Sequence, residues 1–215
     1  MEAPSLNEDE ALELVSQPGI SLALGYHPRA NLNLVFRLCS KAIREGLKAL
    51  VLDCDHTITV DGFDIGADPV AASNLLISHP EDASELSSDL DAAGEVEARG
   101  AVVMNRPDSL IESASPMRKF EEKRGLWSSV YPRIKGLSRD SPVLILADIW
   151  GEGDLEIRVH PALYYTADRI LEALEEGKQV ESYRISKRRL QKPRKDARGK
   201  GNAVPGQSGA AGKYF

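Results

Sequence analysis

Residues 19–55, GISLALGYHPRANLNLVFRLCSKAIREGLKALVLDCD, decide the fold. Ile20, Leu22 and Leu24 alternate with small residues, the period of a strand. Gly25 to Ala30 then reads as a turn. From Asn31 the period lengthens to that of a helix, with Leu32, Val35, Phe36, Cys39, Ala42 and Ile43 on one stripe and Gly46 as its stop. Lys48–Asp53, KALVLD, is a continuous apolar run, as in a strand covered on both faces. A strand–turn–helix–strand unit of this kind predicts an α/β fold with a mainly parallel sheet flanked by helices.

The flanks extend the pattern. Asn7-Glu-Asp-Glu caps a short helix that ends at Pro18-Gly19. Downstream, AVVM at 101–104 and PVLILADI at 142–149 are two more buried strands. Helical patterns are expected near 69–78 and 81–98, and over 109–138 with breaks at Pro116 and Pro132. Leu155–Val159 is expected as a strand. Ile170–Leu174 and Val180–Ile185 should form a hairpin around Glu176-Gly177-Lys178, an antiparallel edge on the parallel sheet. The core is expected over 1–189, with a basic and then Gly/Ala-rich tail over 190–215.

Composition sets the outer limits. The chain has 215 residues, 42% of them apolar and 28% charged, which suits one globular domain plus a tail. Two cysteines, Cys39 and Cys54, cannot build a disulfide scaffold, so a reducing cytoplasmic compartment, or a nucleus, is expected. The net charge of −6 conceals an asymmetry. Residues 184–200 hold nine Lys/Arg and one acid, Asp196, a local +8 that leaves −14 for the rest. A basic run beside an acidic body suits a polyanion such as nucleic acid; the plain alternative is a solvated tail.

The turn GYHPRANL, 25–32, stands where an α/β nucleotide-binding protein carries its phosphate loop, Gly-x4-Gly-Lys-Ser/Thr. Gly25 keeps the first glycine, and Arg29 or His27 could supply some positive charge, though neither stands at the lysine's position. Ala30 replaces the second glycine, Asn31 the lysine and Leu32 the hydroxyl. Asn31 carries no charge for the phosphates and Leu32 cannot ligate magnesium. No cofactor is expected; weak ATP or magnesium binding at the helix N-terminus stays open.

With those residues the chain resembles the RecA/RadA recombinase superfamily, most of all its short RadB-like paralogues, over roughly residues 10–190. AIREGLKALVLD is the most family-like stretch. The resemblance implies a RecA-like phosphate-loop core. It places the water-activating acid at Asp55, the second metal-site position at Asn105, and the polar switch at Ala147-Asp148. With these changed together, it implies a non-hydrolysing paralogue that assists recombination and DNA repair. Its partners would be a recombinase, or DNA through Lys187, Arg188, Arg189, Lys192, Arg194 and Lys195. The segment Ile149–His160 leaves little room for a long DNA-binding loop.

Two other readings compete. VLDCDHTIT, 51–59, matches the first motif of haloacid-dehalogenase-type phosphatases, with Asp53 as nucleophile, Asp55 as general acid/base and Thr57 supporting the turn. Asn105, Ser109, Lys135, Asp148 and Asp154 would have to supply the remaining parts. A regulatory protein-binding module without DNA contact is the third. His56 and His160 are candidate ligands beside Asp55. Cys39, Trp127, Trp150, Tyr164 and Tyr165 read as packing or interface residues.

Overall fold

Strand order explains which residues meet. The structure, a computed structural model, describes residues 5–27, 29–65, 69–111, 116–149, 161–176 and 179–188. Their strands are β1 (Ser5–Leu6), β2 (Gly19–Gly25), β3 (Lys48–Asp53), β4 (Leu75–Ser78), β5 (Arg99–Asn105), β6 (Pro142–Asp148), β7 (Arg169–Glu176) and β8 (Gln179–Arg188). They form one sheet in the order β1-β8-β7-β2-β6-β5-β3-β4. From β7 to β4 every pairing is parallel; β8 joins β7 antiparallel, and β1 joins β8 antiparallel.

The helices are α1 (Glu8–Val15), α2 (Leu32–Arg44), α3 (Pro69–Ser73), α4 (Ala83–Glu95), α5 (Pro116–Leu137) and α6 (Pro161–Thr166). One face of the sheet packs on α1 and α2 around Leu34, Val35, Leu38, Val51 and Val103. The other packs on α4 and α5 around Leu86, Leu90, Trp127, Val130 and Ile134. The α2 stripe is wider than its sequence suggests, because Leu34 and Leu38 are buried as well. Arg37 explains part of this: it bonds Asp9 and lies 3.3 Å from Glu8, which ties α1 across α2. Asn7 caps α1 with a reciprocal bond pair to Glu10.

Three expectations need correction. The segment 69–78 is not one helix: α3 stops at Ser73, and Leu75–Ser78 is an edge strand that pairs with Ala49–Leu52. Pro132 does not break α5, which runs through it to Leu137. The 3-10 turn Pro107–Ile111 precedes α5, and Pro116 opens the helix instead of interrupting it. The strand expected at Leu155–Val159, His160, Asp154, Trp150 and the tail from Arg189 lie outside the described residues. So does the boundary expected after 189. Among the described residues, no helix is long and apolar enough to cross a membrane.

Because β2, β3, β5 and β6 are parallel, their C-terminal ends share one edge. Gly25 lies in register with Asp148, Asp53 with Asn105, and Asn105 with Leu146. The connection from β2 covers one face of the sheet, while the connection from β5 covers the other. Open α/β sheets bind ligands where neighbouring connections diverge in this way.

Candidate functional site

Two groups of side chains meet on that edge. The first is the turn after β2. Three of its amides are committed within the protein. Ala30 N donates to His27 O at 3.0 Å and Leu32 N to Arg29 O at 3.2 Å. Tyr26 N donates to Glu175 Oε1 at 2.8 Å, and His27 Nε2 lies 3.8 Å from Glu175 Oε2. Glu175 sits on β7, the strand beside β2, so a carboxylate from the neighbouring strand occupies a loop donor. Leu32 is buried in the α2-side core, turned into apolar packing. Asn31 is also buried, makes no side-chain cap bond, and leaves its Oδ1 without a partner. Gly25 is required by close approach: a Cβ there would lie 2.6 Å from Ala30 Cβ. Arg29 is exposed.

The second group closes β3, β5 and β6. Asp53 is fully buried and accepts from Asn105 Nδ2 at 2.7 Å and from Ile58 N at 2.9 Å. Asn105 Nδ2 also lies 2.6 Å from Asp55 Oδ1 and 3.0 Å from Thr57 Oγ1. Thr57 Oγ1 donates to Asp55 Oδ1 at 2.7 Å. Arg106 follows Asn105 with φ +46°, a left-handed conformation that costs an arginine about 1–2 kcal/mol. Its Nη1 donates to Asp55 Oδ2 at 2.7 Å, its Nε lies 3.1 and 3.2 Å from the Asp148 oxygens, and its Nη2 also bonds Asp148. Burial works against this charge, but the bonds to Asp148 and Asp55 outweigh it and raise the guanidinium pKa above the usual arginine value. Asn105 Oδ1 is buried without a partner.

The surroundings of this group are defined as well. His79 Nδ1 lies 3.5 Å from Asp53 Oδ2, and its ring stacks on His56 at 5.0 Å. Ser109 Oγ donates to the Cys54 carbonyl at 2.7 Å. Burial, followed by the charges of Asp53 and Asp55, pushes the Cys54 thiol up, so it stays neutral. Burial alone pushes Cys39 up to about 12. Among the described residues, no group of three or more His, Cys, Asp or Glu is arranged to hold a metal.

The structure brings Asp53, Asp55, Thr57, Asn105 and Asp148 to the edge that also carries Gly25, Arg29, Ala30, Asn31 and Leu32. Lys187 and Arg188 lie elsewhere, at the far end of β8, paired with Ile170 and Arg169 at the opposite edge of the sheet. The phosphatase reading is not favoured. Asp53, its nucleophile, has no exposed surface and both its oxygens accept bonds. Lys135 lies in the last turn of α5, at the sheet's other end. A lysine does lie toward this edge, Lys123, but it pairs with Asp108 at 3.0 Å. Glu175 and Arg106 escaped the sequence reading. The signal for Arg106 was a charged residue directly after a buried strand, ahead of Pro107; Glu175 left none, since its part depends on β7 lying beside β2.

Among solved structures, the chain is similar to one described as the crystal structure of the RadB recombinase. The TM-score is 0.53 over 75% of this chain and 77% of that one, at 15% identity. The chain shares the α/β fold of that structure. At that identity the likeness concerns the fold alone. No protein-family model and no characterised protein sequence matches the chain.

Proposed function

We propose that this RecA-like chain is a recombinase paralogue that hydrolyses no nucleotide and assists homologous recombination and DNA repair. It would work through contacts to a recombinase, to DNA, or to both, in the cytoplasm or, in a eukaryote, the nucleus. The observation that carries the reading is the Glu175 carboxylate on the Tyr26 amide. Magnesium–ATP, which the fold implies, does not fit the residues present. A γ-phosphate brought to that turn would meet a resident negative charge. The lysine position is a neutral asparagine, and the hydroxyl position is a leucine packed into the core. Binding energy from the rest of a nucleotide would have to offset this repulsion without the lysine and magnesium that do so in active phosphate loops.

The basic segment from Lys187 onward supports DNA as a partner, since clustered Lys/Arg on an acidic protein gives sequence-independent phosphate contacts. Two measurements test the proposal. Magnesium–ATP at millimolar concentration should leave the melting temperature unchanged; a saturable rise of several degrees would defeat it, because a ligand of the folded state stabilises by mass action. The intact chain should bind DNA with a steep salt dependence that is lost on truncation after Ser186. Equal affinity with and without the tail would remove DNA from the mechanism and leave the recombinase as partner.

A further inference from the structure

Asp55 and Asp148 have side chains only 6% and 19% exposed, and Asp53 none. Buried carboxylates at this spacing need a compensating cation. In oxygen-lined sites the usual compensator is a hard divalent ion held by carboxylates and carbonyls. Here the compensator is covalently attached. One guanidinium reaches Asp55 from one side and both oxygens of Asp148 from the other, and its backbone accepts a left-handed φ in doing so. The Arg106 amide also donates to Leu146 O at 3.1 Å, which fixes the root of the side chain between β5 and β6.

We infer that Arg106 does the work of a divalent cation at the joint end of β3, β5 and β6, so that this edge is assembled without metal. The inference rests on the reading of the edge as a nucleotide edge whose ligands have been replaced from within. It adds a specific residue and a specific consequence. As they stand, the three carboxylates form no group arranged to hold a metal; without Arg106, they and the unpartnered Asn105 Oδ1 would be left to close on a hard ion such as Mg2+, Ca2+ or Mn2+. Asn105 does not supply the missing charge: it offers one neutral amide, already shared among Asp53, Asp55 and Thr57.

The test uses the full chain, stripped with EDTA, and Mn2+ as the probe. Wild type should melt at the same temperature with and without Mn2+ and leave the free-ion EPR signal intact. Arg106→Ala should melt lower in EDTA. Its melting temperature should then rise with Mn2+, by roughly 5–10 °C at a hundredfold excess over Kd. One ion per chain should disappear from the EPR signal, and adding Asp55→Asn should abolish both effects. Should Arg106→Ala fail to fold, Arg106→Lys decides; it keeps the charge but loses the two-pronged geometry, so a smaller Mn2+ dependence is expected. Two results overturn the inference: Mn2+ binding by wild type that Asp55→Asn removes, or a folded Arg106 variant indifferent to Mn2+. Neither depends on ATP, so this failure is distinguishable from failure of the accessory role, which the magnesium–ATP melting experiment reads on wild type.

Discussion

Asn105 shows how one atom can set the character of a site. Its amide nitrogen lies within 2.7 Å of two carboxylate oxygens from residues that are themselves two apart in sequence. A carboxylate there would turn two charge-assisted hydrogen bonds into two repulsions. Each bond to a charged group contributes about 1.5–3 kcal/mol, so Asn105→Asp should cost at least about 3 kcal/mol in urea unfolding at neutral pH. The sign of the pH effect follows from linkage. The new carboxyl would have its folded-state pKa raised by Asp53 and Asp55, so the native state would hold its proton more tightly than the unfolded state. The deficit relative to wild type should therefore narrow as pH falls toward the unfolded-state value of about 3.9. A variant as stable as wild type at neutral pH would show that Asn105 is not the clamp described here.

At the scale of elements, α5 is the instructive case. Pro132 sits inside it, exposed, with Val130 and Ile134 buried to either side in sequence. Proline removes one helical hydrogen bond and crowds the preceding turn at a cost of about 3 kcal/mol. The burial of Leu126, Trp127, Val130, Ile134 and Leu137 holds the helix regardless. Pro132→Ala should raise stability by about 1–3 kcal/mol in denaturant unfolding, after allowing about 0.4–1 kcal/mol for the freer unfolded chain. A destabilised variant would mean that the ring itself packs on something essential. The same contest explains what the sequence made legible. Strands β3, β5 and β6 announce themselves as apolar runs because both faces are covered, β2 by apolar residues alternating with small ones, and the α1 cap is spelled out in Asn7 and Glu10. β4 does not, since three half-buried residues and the exposed Leu76 carry no run that separates strand from helix. The candidate site was legible only as strand ends. Asp53 and Asn105 are 52 residues apart, and Glu175 reaches Tyr26 across 149. Only strand order makes such partners adjacent.

The whole molecule separates two chemistries onto opposite edges of one sheet. The turn after β2 and the Arg106 cluster lie at the C-terminal ends of the parallel strands. The basic end of β8 pairs with the first residues of β7, while Glu175, near the other end of β7, reaches the turn. Six residue steps along β7 lead from Arg169 to Glu175, which at about 3.3 Å each puts roughly 20 Å between the edges. That distance exceeds the Debye length of about 8 Å at physiological salt, so the charges of one edge are screened from the other. If DNA is held by the β8 end, as proposed, its binding should ignore changes in the turn. His27→Ala and Arg29→Ala should leave both DNA affinity and its salt slope as in wild type. Neutralising Lys187 and Arg188 together should lower the slope by up to about 2, near one unit per lost phosphate contact. A loss of DNA binding on changing Arg29, with the Lys187 and Arg188 variant unaffected, would reverse the polarity assigned to the molecule and put the nucleic acid on the edge where the nucleotide of a RecA-like protein would lie.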